Sequence, residues 1–253
     1  MRDDITTLVW KEVSEVRTGR GQGQRSTGGI ALVTLFLAVV FPFSAGSEFG
    51  GIGVMVIGSL VAAMWVLTSV PDSFAGERDH RTLETLLATR LPADAILLGK
   101  LLACIVVAVA LGTTAIVLSV IASSLGTVVH GGGVDAVSVP WLDAAFGVVL
   151  SVLVAFFLGN VGILVALRAS SAMVAMRELG LGIAGLVFAI SWGVHALPHG
   201  ASSDLSDVAA DIGSLSPWVL AIGAAAVFVV VNLALFAVTR ARFTRPKLIR
   251  PHG

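Results

Sequence analysis

Six apolar runs divide this chain: about Gly28–Ala45, Gly51–Val70, Leu101–Ser124, Ala144–Leu167, Leu179–Leu197 and Trp218–Thr239. Each is close to the ~20 residues that a helix needs to cross ~30 Å of hydrocarbon. In lipid an exposed N–H or C=O has no water to bond, so a spanning segment must be helical or belong to a closed barrel. A barrel needs dyad alternation of polar and apolar residues, and runs such as "IVVAVALGTTAIVLSVIA" have none. Composition agrees. Charged residues are 13% of the 253 and hydrophobic ones 56%, with a mean hydropathy of +0.96. A soluble domain carries about 25% charged residues. The expected fold is all-α: a polytopic membrane protein of six transmembrane helices, one domain over 1–253, with its bundle at 28–239 and a basic tail at 240–253.

The distribution of charge sets the orientation, although the net charge is zero. All sixteen Lys and Arg residues fall in the N-terminus, in the loops after the second and fourth spans, or in the C-terminus. The loops near 46–50, 125–143 and 198–217 carry only acidic charge: Glu48, Asp135, Asp143, Asp204, Asp207 and Asp211. By the positive-inside rule both termini are expected in the cytoplasm, as parts of a multi-pass protein of the cell membrane. Trp141, Trp192 and Trp218 stand near the outer ends of their spans, as an interfacial aromatic belt requires. The N-terminus is polar and has no secretory signal, so the chain is expected to be unprocessed. The single Cys104 lies in an apolar run and reads as packing.

Two segments are expected to lie on the membrane. Residues 5–17, "ITTLVWKEVSEVR", place Leu8, Val9, Val13 and Val16 on one helical side and Lys11, Glu12, Ser14 and Glu15 on the other. This predicts an interfacial helix over part of 1–25, on the cytoplasmic surface. On the outer side, "SSDLSDVAADIGSL" aligns Leu205, Val208, Ile212 and Leu215 against Asp204, Asp207 and Asp211. It predicts a short amphipathic, re-entrant helix whose aspartates form a solvated face, since no loop shaped for a cation accompanies them.

The chemistry of an enzyme is not visible in this pattern. There is no HExxH, GxSxG or P-loop. Gly99-Lys100 has Asp94 where the first P-loop glycine should stand and Leu101 where Ser or Thr should. His195 and His199 are interrupted by Pro198 and have no third ligand nearby, so no metal is expected. Ion-coupled transporters hold ionisable groups at mid-membrane. Here the span interiors offer Ser, Thr, Asn160 and Asn232, and the two amides are expected to hydrogen-bond between helices. Energy for any transport must enter from another chain. No nucleic-acid partner is implied, and neither nucleotide nor metal is expected on this chain.

One segment breaks the apolar pattern. "AGERDHRTLETLLATRLPADAILLGK", Ala75–Lys100, sets eight charged residues between two spans. Pro71-Asp72 can extend the second span into the cytoplasm. Thr82 is an expected N-cap for a short helix, with Glu84 in its first turn and Arg90 just past its end. Leu83, Leu86 and Leu87 then form a ridge at i, i+3, i+4, and Leu91-Pro92 ends the helix. Burying three leucines is worth ~4–8 kcal/mol before ordering costs, enough to dock in a partner's groove. Lys100, at the foot of the third span, is expected to snorkel and neutralise helix-end carbonyls or headgroups.

The same segment resembles the signature of ABC-2-type permeases, the membrane subunits of ATP-binding-cassette exporters. Glu77, Thr82, Leu83, Glu84, Leu86, Leu87, Gly99 and Lys100 match that signature without a gap. Arg81 stands where the family often has Gly, and Arg90 where it often has Pro, displaced here to Pro92. "WKEVSEVRTGR", with Trp10, Lys11 and Glu12, resembles the family's connecting helix. "SSAMVAMRELGLGIAG", with Arg177 and Glu178, resembles its cytoplasmic turn into the fifth span. The resemblance implies a permease subunit without catalysis of its own. It would pair with a second permease subunit, identical or not, and with two copies of an ABC ATPase that hold ATP and Mg. Residues 82–89 would be the coupling helix, with Glu77, Arg78, Arg81 and Arg90 keeping its register. Lys100, Asn160, Arg177, Glu178 and Asn232 would serve structure or gating. The alternative is a membrane scaffold that recruits a partner through the same segment, and ATP-dependent cargo movement in vesicles separates the two.

Overall fold

The apolar runs fold as helices, as a backbone dissolved in lipid must. The computed structural model describes residues 10, 14, 29, 32–76, 93–132, 141–169, 171–196 and 217–242. Among the described residues there is no strand. The helices in chain order are α1 (Leu32–Ala45), α2 (Gly50–Pro71), α3 (Ala93–Val129), α4 (Trp141–Ala166), α5 (Ala172–Ala196) and α6 (Pro217–Arg242). One helix falls on each apolar run.

Four stretches among the described residues are long and apolar enough to cross a membrane: Gly50–Phe74, Ile96–Val129, Trp141–Ala166 and Ala225–Arg242. The protein is thus a helical membrane protein. The other two helices differ from a simple span. α1 rises only ~21 Å at ~1.5 Å per residue, and a π turn at Phe36–Val40 widens its middle. α5 is 25 residues long, but exposed Arg177 and Glu178 sit in its second turn, so its apolar part begins only at Leu179. α3 also departs from expectation. It runs for 37 residues, well past the expected Leu101–Ser124, because no proline occurs between Pro92 and the glycine run at 131–133. Its end is set by Gly131, whose φ of +90° suits glycine. There the Gly132 N–H returns to the Thr127 carbonyl at 2.9 Å, closing the helix as C-terminal caps do.

Packing follows the rules of lipid, where apolar contact alone gives no advantage over the acyl chains. α2, α3 and α4 form the centre and meet through small residues. A Cβ on Gly112 would lie 2.7 Å from the Gly58 carbonyl oxygen and 3.3 Å from Ser151 Oγ. A Cβ on Gly147 would lie 3.1 Å from Met55 Cα. Gly147, Ser151, Ala155 and Gly159 recur every four residues along α4, the first three facing the α2–α3 pair and Gly159 the Leu101 side chain. Outside this seam the apolar side chains face outward. Leu102, Val106, Val117, Ile121 and Leu125 make an exposed stripe down α3. Hydroxyls within the helices bond their own backbone, as Ser119 does to the Ile116 carbonyl (2.8 Å) and Thr239 to the Leu235 carbonyl (2.9 Å).

The two ends of the bundle differ in charge. At one end Gly46 approaches Thr127, Phe43 stacks on His130, and Gly51 meets Asp143. Glu48 and Asp143 belong to this end. Val70, Phe74, Ile96, Leu97, Ala169 and Ala175 cluster at the other, which holds Lys100, Arg168 and Arg177. Among the described residues, Glu48 and Asp143 therefore stand at one end of the helical body and Lys100, Arg168 and Arg177 at the other.

Candidate functional site at the basic end

The basic end is built where α2 stops and α3 starts. Pro71 lacks an N–H and interrupts the helical ladder. The chain nevertheless continues through a π turn, Asp72–Gly76, with the Asp72 N–H reaching back to the Thr68 and Ser69 carbonyls. This wide turn carries Phe74 inward, where it is 5% exposed. From the other side α3 brings Ile96, Leu97 and Leu101 into the same cluster, each at most 1% exposed. Leu97 and Leu101 are one turn apart on α3, as are Lys100 and Cys104.

Lys100 closes the joint. It is 3% exposed. Its Nζ donates to the Ser73 carbonyl at 3.2 Å and lies 5.9 Å from the centre of the Phe74 ring. An ammonium at the carbonyl-bearing end of α2 is favoured by the helix dipole, and the ring face adds a cation–π attraction. Cys104 Sγ contacts Ser73 Oγ at 3.7 Å. Lys100 reaches a helix-end carbonyl, but from a buried position between α3 and the turn after α2 and not by snorkelling to the surface. Cys104 is buried, as expected, and also touches a polar neighbour.

α5 braces this joint. Ser171 caps its first turn, its Oγ accepting the Val174 N–H at 3.3 Å. Ala175 and Leu179 are buried, while Arg177 and Glu178 between them are exposed. Asn160 and Asn232 are buried in the membrane-spanning part, at 0% and 2% exposure. Asn232 Nδ2 donates to the Phe228 carbonyl at 3.0 Å and to the Leu153 carbonyl of α4 at 3.4 Å, the expected bond between helices. Asn160 departs from expectation: its Nδ2 donates to Phe156 of its own helix at 2.8 Å. A backbone carbonyl one turn away is simply the nearest acceptor.

The other residues singled out in the sequence are Glu77, Arg78, Arg81, Thr82, Leu83, Glu84, Leu86, Leu87 and Arg90. They lie outside the described residues, as do Lys11, Glu12, the outer helix near 204–215 and the tail from 243. Trp10 is helical and 75% exposed. Sequence reasoning missed Ser73 and Phe74. Spacing carried no signal for them, because their placement depends on the π turn that follows Pro71. No protein-family model matches the chain, and no curated protein matches its sequence. The Lys100–Ser73 bond thus ties the turn that follows α2 to α3.

Proposed function

We propose that this chain is the permease subunit of an ATP-binding-cassette exporter, with six spans and both termini in the cytoplasm. A separate ABC ATPase, in two copies, holds ATP and Mg and burns the nucleotide. Two permease subunits face one another in the cell membrane, and the Thr82–Thr89 segment of each seats in a groove of the ATPase. The reading rests on the signature at Glu77–Lys100. It is supported by one structural observation: the segment springs from a joint in which Phe74, Lys100 and Leu101 are locked into the core. A lever passes force on only if its fulcrum is stiff. Closure of the ATPase pair pushes the segment, and the joint turns that push into rotation of α2 and α3.

The test is co-purification of the ATPase with the full chain in detergent. Leu86→Asp places a carboxylate in the ridge, and Glu84→Arg reverses a charge in the first turn. Both are expected to remove the ATPase while the chain still inserts. ATPase retained at the wild-type ratio by both variants contradicts the reading.

A further inference from the structure

The seam between α4 and α6 carries a second feature. Asn160 Oδ1 and Asn232 Oδ1 are both buried and accept no hydrogen bond, although the amide nitrogen of each is already committed to backbone carbonyls. The Asn232 carboxamide meets the Leu153 carbonyl and the Asn160 carboxamide the Phe156 carbonyl, three residues further along α4, so the two stand ~5 Å apart along it. On the same seam lie two tilted ring pairs, Phe156 with Phe236 (centroids 5.9 Å apart) and Phe157 with Phe228 (5.4 Å). All four rings are half-buried. A buried acceptor without a donor is costly in so apolar a setting.

α6 is also the most loosely held of the spanning helices. Of its apolar window 11% is buried, against 39% to 44% for the other three. Its polar tie to α4 is the 3.4 Å bond from Asn232. Small movements of α6 therefore open the seam.

We infer that the α4–α6 seam binds an elongated, uncharged apolar molecule bearing a hydroxyl or amide N–H. The two free acceptors take the donor, and the rings take the apolar body. A molecule that offers only acceptors, such as an ether or ester, leaves both amide oxygens without a donor, so the seam favours a hydroxyl or N–H over it. A hydroxylated membrane lipid and a cargo molecule share this chemistry. Binding needs no ATPase, so it stands or falls separately from the exporter reading.

The experiment uses the full chain in phosphatidylcholine nanodiscs. It compares a diazirine-bearing hexadecanol with its methyl ether, mapping photo-adducts by mass spectrometry. The alcohol is expected to label 150–163 and 225–240 roughly fivefold more than the ether, the effect of about one net hydrogen bond. The exposed stripe of α3 should take both equally. Asn160→Leu and Asn232→Leu, singly, should each lower the preference. Competition on the unaltered chain gives the same information without a variant: hexadecanol should protect the seam and hexadecane should not. Protection by diacylglycerol mixed into the nanodisc lipid assigns the occupant to membrane lipid, and protection by hexadecanol without protection by diacylglycerol assigns it to cargo. Equal labelling by alcohol and ether, or equal protection by alkane and alcohol, overturns the proposal and leaves a buried water as the partner of the two acceptors.

Discussion

An ammonium taken out of water loses several kcal/mol of solvation, so Lys100, only 3% exposed, depends on what surrounds it. Its Nζ meets the Ser73 carbonyl at 3.2 Å, in the π turn that follows α2. Lys100→Met keeps the length of the side chain and removes the donor and the charge. A hydrogen bond to a charged group contributes about 1.5–3 kcal/mol. A lower Tm for the detergent-solubilised chain is therefore expected. Lys100→Glu is expected to do more, setting a carboxylate against carbonyl oxygens at the negative end of a helix, and to abolish assembly where Asp207→Ala on the acidic side leaves it intact. A Tm unmoved by Lys100→Met would mean that the Ser73 contact is incidental. Lys100 could be singled out from the sequence as the basic residue at the foot of an apolar run. Its partner could not, because the geometry of Ser73 depends on a π turn after Pro71 that no spacing rule foretells.

At the scale of helices, length and hydropathy placed all six elements, yet they say nothing about which faces meet. Apolar side chains cover every side of α2, α3 and α4, so the amphipathic signal that orients a helix in a soluble protein is absent. What orients them is size. Gly58, Gly112, Gly147 and Ser151 let backbones approach until a methyl group no longer fits between. That pattern was legible as small residues four apart on α4, but it carries no hydropathy contrast and a scan for spans passes over it. Gly112→Val forces two methyl groups and a Cβ toward the Gly58 carbonyl oxygen, 2.7 Å from where that Cβ would sit. Overpacking of this kind costs about 1–3 kcal/mol, and because backbone cannot swing aside, the upper part of that range or more is expected as a drop in Tm. Gly223→Ala on α6 is the control. Nothing lies within 4 Å of its Cβ, and an exposed helical glycine replaced by alanine should gain up to ~1 kcal/mol of helix propensity. Equal Tm values for the two variants would remove the case for a seam. α3 extends beyond the expected span Leu101–Ser124 at both ends, and its C-terminal end is set by backbone geometry at Gly131, where φ turns positive, which hydropathy does not report.

For the molecule as a whole, the proposal needs the basic end to face the compartment that holds ATP. That can be read by labelling. Cys104 is the only cysteine and is buried, so single cysteines introduced at exposed sites report without background. Glu48→Cys and His130→Cys should react with a membrane-impermeant maleimide in right-side-out vesicles, and Arg168→Cys and Arg177→Cys only in inverted ones. The reverse pattern would put the 77–92 segment out of reach of any cytoplasmic ATPase. If the orientation holds, stiffness is the next requirement, and Phe74 tests it. Its ring fills the space between the π turn, α3 and α5, packing with Ile96, Leu97, Leu101 and Ala175. Phe74→Ala leaves the 77–92 sequence untouched and hollows the fulcrum. Large-to-small changes at such sites cost about 3–5 kcal/mol of stability, so the Tm should fall as the joint softens. The ATPase should still co-purify and hydrolyse ATP, while ATP-driven efflux from vesicles falls. Efflux that survives Phe74→Ala at the wild-type rate would show that the push does not travel through the α2–α3 joint. The signature segment would then be acting as an anchor for its partner and not as a lever.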